Sequence, residues 1–377
     1  VNKFVSQAGN LLLTILSVVL TLGLLELTAR IVFVDEARDP FSFRIKRPAA
    51  YSDATYFSEA LIKEQFSYSN WINPPGTRLL LAGDYEGKAF SVRNGLRVTA
   101  FQPERAAKTV RLFGGSTVFC IEVPDSLTLP SLVQQKLNAA APGQYKVENY
   151  GVTSINSYQQ TGRLRTMPLD STDIVVFYGG VNESLRLTTG RTNGWLMQEN
   201  YVEVSGRIGR VAQVKIWIYK TFHRYSRFVD QVFYPFEHRI PRWLSDETLL
   251  AEGQKDIDSV FSASVLEANA LLTAAGGRFI GVLQPTLLTK ASQTAYEKKL
   301  LQNRFINSEM EQLAVTKTYE QLRKTITGLE KQGIQVVNGE TWLDHLQQET
   351  FLDYCHVTHH GNDALAEHLV KIILEKN

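Results

Sequence analysis

The distribution of apolar positions divides the 377-residue chain into three stretches. Near the amino end, Leu11 to Leu25 carries no charge and is rich in Leu, Val and Ile; the apolar run resumes around Glu26 and Arg30 and continues to Val34. As a helix, residues 11–34 would rise about 36 Å, enough to cross a hydrocarbon layer of about 30 Å. Glu26 and Arg30 are spaced i, i+4 and can pair near the membrane interface, where a charge costs less. No small-x-small cleavage site follows the run closely, so it reads as an uncleaved anchor rather than a signal peptide. From Asp35 to Lys108 the pattern is mixed and rich in aromatic and turn residues. Asn73 to Gly76 (Asn-Pro-Pro-Gly) predicts a turn, and Arg78–Ala82 and Ala89–Val92 predict strands. Asn94-Gly95 predicts a hairpin leading into Leu96–Phe101.

From Thr109 onward the rhythm becomes strand, helix, strand. Strands are expected at Thr109–Phe113, Lys146–Val152, Asp173–Tyr178, Arg278–Leu283 and Ile334–Asn338. Helices are expected at Leu127–Ala140, Asn156–Met167, Leu249–Ala275, Ala291–Lys331 and Gly361–Glu375. Asp173–Tyr178 is a continuous apolar run, the mark of a strand buried on both faces. The alternation predicts an α/β fold: a five-stranded parallel sheet with helices on both faces, and any active site at the carboxyl ends of its strands. The organisation is therefore an anchor over 1–35, a β-containing lead-in over 36–108 that packs against the main domain and is read as a spacer off the membrane, and a main domain over 109–377.

Residues 184–248 interrupt this rhythm as an insertion. Arg207 to Trp243 carries eight Arg and Lys against Asp230 and Glu237. Val211, Val214, Ile218, Phe222, Tyr225, Val229 and Val232 fall at helical spacing. Two readings stay open: a helical cap whose apolar face covers the core, or a basic amphipathic helix against an anionic membrane or an acidic polysaccharide. The insertion leaves the third strand at its carboxyl end, so it is placed to shape a cleft.

Composition changes this picture little. With 44% hydrophobic and 21% charged residues the chain has ample material for a core, and a net charge of +2 gives no field that favours nucleic acid. No zinc-type Cys/His spacing or acidic cluster points to a metal. Around the anchor, Arg38, Arg44, Lys46 and Arg47 are interleaved with Asp35, Glu36 and Asp39, so charge does not fix its orientation.

Candidate chemistry sits at strand ends. Val110 to Thr117 reads Val-Arg-Leu-Phe-Gly-Gly-Ser-Thr: a β run, two glycines, then Ser116 at a helix start. Such a turn lifts a hydroxyl out of the sheet, although it also fits an ordinary βα turn or a phosphate loop lacking its lysine. Three further blocks follow in order: Asn149-Tyr150-Gly151, Gly179-Gly180-Val181-Asn182, and Asp353-Tyr354-Cys355-His356. Each alone has a plain structural account; the ordered set at successive strand ends does not.

That set resembles the SGNH (GDSL-like) hydrolase family, in its membrane-anchored bacterial form, over about Thr109 to Asn377. The resemblance implies a flavodoxin-like sheet, with Ser116 as nucleophile, His356 as base and Asp353 as its orienting acid. It also implies an oxyanion hole from the Ser116 and Gly151 N–H groups and the Asn182 amide. Gly-Gly-Ser-Thr departs from Gly-Asp-Ser, and Glu183 stands where an aspartate is usual. His359 and His360 are rival bases by proximity. The implied activity is a serine esterase acting through an acyl-serine intermediate, without metal or cofactor. Its implied substrate is an O-acetyl ester on a periplasmic glycan or cell-envelope polymer. An O-acyltransferase using the same site, or a non-catalytic binding module, are the alternatives. Cys120 and Cys355 fall in the first and last blocks and could form a disulfide; the other account is two separate buried thiols.

Overall fold

The computed structural model describes residues 2–32, 59–77, 79–189, 210–222, 225–237, 240, 242–303 and 307–375. The charges expected to flank the anchor over 35–47, and the first part of the insertion, lie outside these residues. The chain forms two compact units, one of residues 1–38 and 202–239, the other of residues 39–201 and 240–377.

The first unit holds α1 (Asn2–Val32) and the helices α7 (Arg210–Phe222) and α8 (Arg227–Glu237). Gly9–Val32 has a mean hydropathy of 2.2 and is long and apolar enough to cross a membrane. The insertion's apolar pattern is divided between two helices that belong to one unit with α1.

The second unit is built on an eight-stranded sheet in the order β10-β9-β8-β6-β7-β5-β4-β3. Its parallel part is β6 (Lys108–Gly114), β7 (Tyr145–Gly151), β8 (Asp173–Gly179), β9 (Arg278–Leu283) and β10 (Val336–Asn338). These are the five expected strands, in a doubly wound order that reverses between β6 and β8. The expectation of five strands falls short because the lead-in joins the same sheet. There β3 (Tyr85–Glu86), β4 (Ser91–Arg93) and β5 (Leu96–Arg97) run antiparallel, and β5 pairs with β7 through Arg97 and Asn149. Asn94 and Gly95, at φ 54° and 72°, make the tight turn their sequence requires. The lead-in also carries α2 (Glu59–Ser67) and the pair β1 (Trp71–Ile72) and β2 (Leu81–Ala82).

Alternating side chains of the parallel strands feed two cores. Ile174, Val176 and Tyr178 of β8 join the helices α4 (Leu129–Ala140) and α13 (His359–Leu374) on one face. Val175 and Phe177 join α10 (Glu247–Ala275) and α12 (Glu309–Glu330) on the other. The long helical stretch expected over Ala291–Lys331 is two helices, α11 (Ala295–Gln302) and α12. Each begins with its own capping box, Thr294 with Glu297 and Ser308 with Glu311. The remaining helices are short: α3 (Ser116–Phe119), α5 (Ser157–Leu164), α6 (Leu185–Thr189) and α9 (Arg242–Ser245).

One buried ion pair fixes the segment that precedes α13. Lys290 Nζ donates to both oxygens of Glu297 at 3.0 and 2.8 Å, and both side chains are excluded from solvent. Glu297 also accepts the N–H groups of Thr350 at 3.1 Å and Phe351 at 3.3 Å. Removing one partner of such a pair strands the other charge in the core. Glu297→Ala should therefore lower unfolding stability by about 3–5 kcal/mol, read as the denaturant midpoint of the detergent-solubilised chain.

Candidate active site

Ligands of doubly wound sheets bind beyond the carboxyl ends of the strands, where the order reverses. Here that place lies between β6 and β8, and Ser116 follows β6. Both glycines before it are required by their neighbours. A Cβ on Gly114 would fall 2.3 Å from Val118 Cγ2 and 2.5 Å from the Tyr178 carbonyl oxygen; one on Gly115 would fall 2.3 Å from Asn182 Nδ2. Without those atoms the chain passes directly from strand to helix, and the Ser116 hydroxyl stands at the sheet edge.

The residues Asp353 and His356 arrive on a tight loop between β10 and α13. Leu352 N–H donates to the His356 carbonyl at 2.8 Å and Thr358 N–H to the Thr350 carbonyl at 2.8 Å, so the loop closes on itself. Tyr354 N–H donates to Asn307 Oδ1 at 2.9 Å, and the Tyr354 carbonyl accepts from Leu287 N–H at 2.9 Å. The imidazole is thereby aimed at β6. Ser116 Oγ lies 2.8 Å from His356 Nε2, and His356 Nδ1 lies 2.6 Å from Asp353 Oδ2. Asp353 Oδ1 accepts the N–H groups of Cys355 at 2.8 Å and His356 at 2.7 Å. A carboxylate only accepts, so Nδ1 carries a hydrogen and, in the neutral imidazole, Nε2 is left to accept from the Ser116 hydroxyl. His359 and His360 open α13 with their ring centroids 3.9 Å apart. The imidazole that contacts Ser116 belongs to His356.

Asn182 sits in the turn after β8. Its Nδ2 donates to the Ile155 carbonyl at 2.7 Å, and the same nitrogen borders Gly115. An amide nitrogen has two hydrogens, so one remains for a group over Ser116. Glu183, in the place of the usual aspartate, accepts Ser157 N–H at 2.7 Å and ties the Ile155 loop to β8. Burial raises the Glu183 carboxyl, with the Ser157 hydrogen bond opposing. The Gly151 N–H, which the resemblance implies as an oxyanion donor, donates to Asn149 Oδ1 at 2.9 Å. What Gly151 supplies is space: a Cβ there would lie 2.3 Å from the Phe119 nitrogen, so α3 rests directly on β7.

The cysteines form no bridge; both are free and buried. Cys120 Sγ lies 3.1 Å from the Thr117 carbonyl and 3.9 Å from Asn362 Oδ1, while Cys355 Sγ lies 3.5 Å from His356 Nδ1. Burial pushes Cys120 up to about 11 and Cys355 up to about 12, so both remain thiols at neutral pH. Donor atoms of Asp353, Cys355 and His356 fall within 4.8 Å of one another. Two of these donors already share a hydrogen and the third is a protonated thiol, a set that suits proton transfer rather than a cation.

Three site residues escaped the sequence. Arg97, buried on β5, pairs with Asp125 at 3.0 Å and donates to the carbonyls of Phe119, Cys120 and Val123. It thus clamps the loop that leaves α3, and the lead-in is part of the site's support rather than a spacer. Gln284, at the end of β9, accepts from Thr117 Oγ1 at 3.1 Å. Glu122, 3% exposed, places Oε1 3.9 Å from His356 Nε2. A buried Arg between Leu96 and Val98 is the one local signal, since a charge in an apolar strand demands partners. Glu122 and Gln284 follow no periodicity.

No protein-family model matches the chain, and no curated protein does. Among solved structures, a lipolytic G-D-S-L family protein from Veillonella parvula matches at 14% identity and a TM-score of 0.40, over 72% of this chain and 100% of that one. An acetylxylan esterase from Geobacillus stearothermophilus matches at 13% and 0.36, over 72% and 96%. A lipolytic G-D-S-L family protein from Desulfitobacterium hafniense matches at 11% and 0.34, over 70% and 99%. Likeness at this level assigns no chemistry, which is read here from the side chains.

Burial pulls the His356 imidazole down, but the Asp353 carboxylate and, behind it, Glu122 outweigh that, and the net shift is well upward. The base must be neutral to accept a proton, so activity falls as pH drops through this raised value. The acid limb of kcat/KM should therefore lie above the ordinary histidine range of about 6.5. Glu122→Gln removes one negative charge beside Nε2. The limb should move to lower pH by about one unit, worth about 1.4 kcal/mol, with a reduced plateau.

Proposed function

We propose that this chain is a membrane-anchored serine ester hydrolase of the SGNH type. The reading is carried by one observation, the contact of Ser116 Oγ with His356 Nε2 while Nδ1 is held by Asp353. As a substrate carbonyl settles over Ser116, His356 Nε2 takes the hydroxyl proton and Oγ bonds to the carbonyl carbon. Asp353 holds the imidazolium formed. The carbonyl oxygen becomes an oxyanion that accepts from Ser116 N–H and Asn182 Nδ2, each donor lowering the barrier by about 3 kcal/mol. Collapse breaks the bond to the alcohol oxygen, which leaves with the proton from Nε2. Water, deprotonated by the same nitrogen, then attacks the acyl carbon; collapse breaks its bond to Oγ, which takes the proton back from Nε2, and the acid is released.

The substrate class is an acyl ester, and within it an O-acetyl group on a glycan or envelope polymer outside the cytoplasm. What supports this is the resemblance in the ordered blocks, together with the apolar α1 that would hold the site at a membrane surface. The same acyl-serine could pass its acyl group to a sugar hydroxyl instead of water.

Turnover of p-nitrophenyl acetate should fall by about 10³-fold or more in Ser116→Ala, with an unchanged circular-dichroism spectrum. Activity surviving that substitution would remove the assignment. A mass-labelled acetyl loaded on Ser116 should leave as acetate; its recovery on an added oligosaccharide would make the protein a transferase.

A further inference from the structure

In the first unit, the described contacts of α1 with α8 centre on Glu26. Along Gly9–Val32 every side chain is exposed except Glu26 and Ala29. Glu26 Oε2 accepts from Ser226 Oγ at 2.7 Å and from Phe228 N–H at 3.1 Å, and Oε1 accepts from Arg227 N–H at 3.1 Å. Arg30 pairs with Glu26 at 2.7 Å and donates to the Tyr225 carbonyl at 3.2 Å. Glu26 thus caps the amino end of α8, and Arg30 is held beside it by Glu26 and the Tyr225 carbonyl. A carboxylate in a membrane span requires such partners.

Their position in α1 sets a depth. Glu26 lies six residues before Val32, so the turn between α7 and α8 sits within about 9 Å of the helix end. That is the boundary between headgroups and acyl chains, where interfacial helices lie. The exposed face of this hairpin suits the place. Val211, Val214, Trp217 and Phe222 of α7 are 70%, 55%, 60% and 44% exposed, and Tyr225 follows them in the turn. Arg210, Lys215, Lys220, Arg224 and Arg227 are interleaved with them in sequence. Exposed apolar side chains of this kind, in a sequence rich in cations, match an anionic lipid surface.

We propose that α7 and α8 form a second membrane element. The hairpin lies in the interface, pinned to the span by Glu26, with its apolar side chains among acyl chains and its basic residues at lipid phosphates. This rests on the reading of α1 as a membrane span, so the test includes a probe of α1 itself.

The full chain is placed in nanodiscs of phosphatidylcholine and phosphatidylglycerol, with an environment-sensitive fluorophore at Trp217→Cys, Leu22→Cys or Glu252→Cys. The buried Cys120 and Cys355 thiols, pushed up to about 11 and about 12, stay unlabelled. The label at 217 should emit to the blue and be quenched by lipids carrying a nitroxide near the headgroup, at least threefold more than the label at 252. The label at 22 should respond to nitroxide deep in the chain. Glu26→Leu should cut quenching at 217 at least threefold and leave position 22 unchanged. A water-like label at 217 with a lipid-quenched label at 22 would overturn the hairpin proposal and keep the span. Water-like labels at both would overturn both. Quenching at 217 that is unchanged in Glu26→Leu would overturn the pinning role of Glu26.

Discussion

The contact on which this molecule depends is a single hydrogen bond, 2.8 Å from Ser116 Oγ to His356 Nε2, between residues 240 positions apart. One such bond contributes about 1 kcal/mol net and cannot hold two distant segments together. Its geometry is set by what surrounds each end. On the serine side, Gly114 and Gly115 admit the sharp passage from β6 into α3, and Gly151 lets α3 rest on β7. On the histidine side, the loop over 350–358 is tied to Glu297, Asn307 and Leu287 before it reaches the imidazole. Both supports are largely buried, and the histidine loop is tied down by several hydrogen bonds, which is how a site is kept within a fraction of an ångström of working geometry.

The sheet has a second function beyond layering helices. Three short antiparallel strands extend it past β7 and deliver Arg97 into the interior. A buried guanidinium is costly unless its donors are used. Here Asp125 and three loop carbonyls use them, and Arg97 also lies over the rings of Phe90 and Phe119 at 5.1 and 5.3 Å. The price of burying that charge is met only with the loop after α3 in place, so the lead-in and the nucleophile turn are ordered together.

Much of this was legible in the chain because local patterns and global fold agree. The continuous apolar run of β8 and the Asn94-Gly95 turn each follow from one physical rule. The strand-end blocks were legible through the family resemblance that their order carries. The breaks fall where tertiary contact decides. The lead-in strands are two or three residues long, too short for a periodicity, and their union with the main sheet depends on pairing with β7. The Gly151 N–H, a donor implied by the resemblance, is accepted by Asn149 Oδ1, a side-chain choice no spacing encodes. Cys120 and Cys355 sit close in the sequence logic of the two blocks, yet each thiol has separate neighbours. Glu122 and Gln284 reach the site from a loop and a strand end, through tertiary contacts that no local pattern encodes.

The central claim is that Ser116 is a nucleophile made reactive by His356. Treating the folded chain with a fluorophosphonate probe and locating the adduct by peptide mass spectrometry tests it directly. The account predicts a covalent adduct on Ser116, formed at least a hundredfold more slowly in His356→Ala. A folded protein that takes no adduct at Ser116, or takes it equally well without the imidazole, would contradict it.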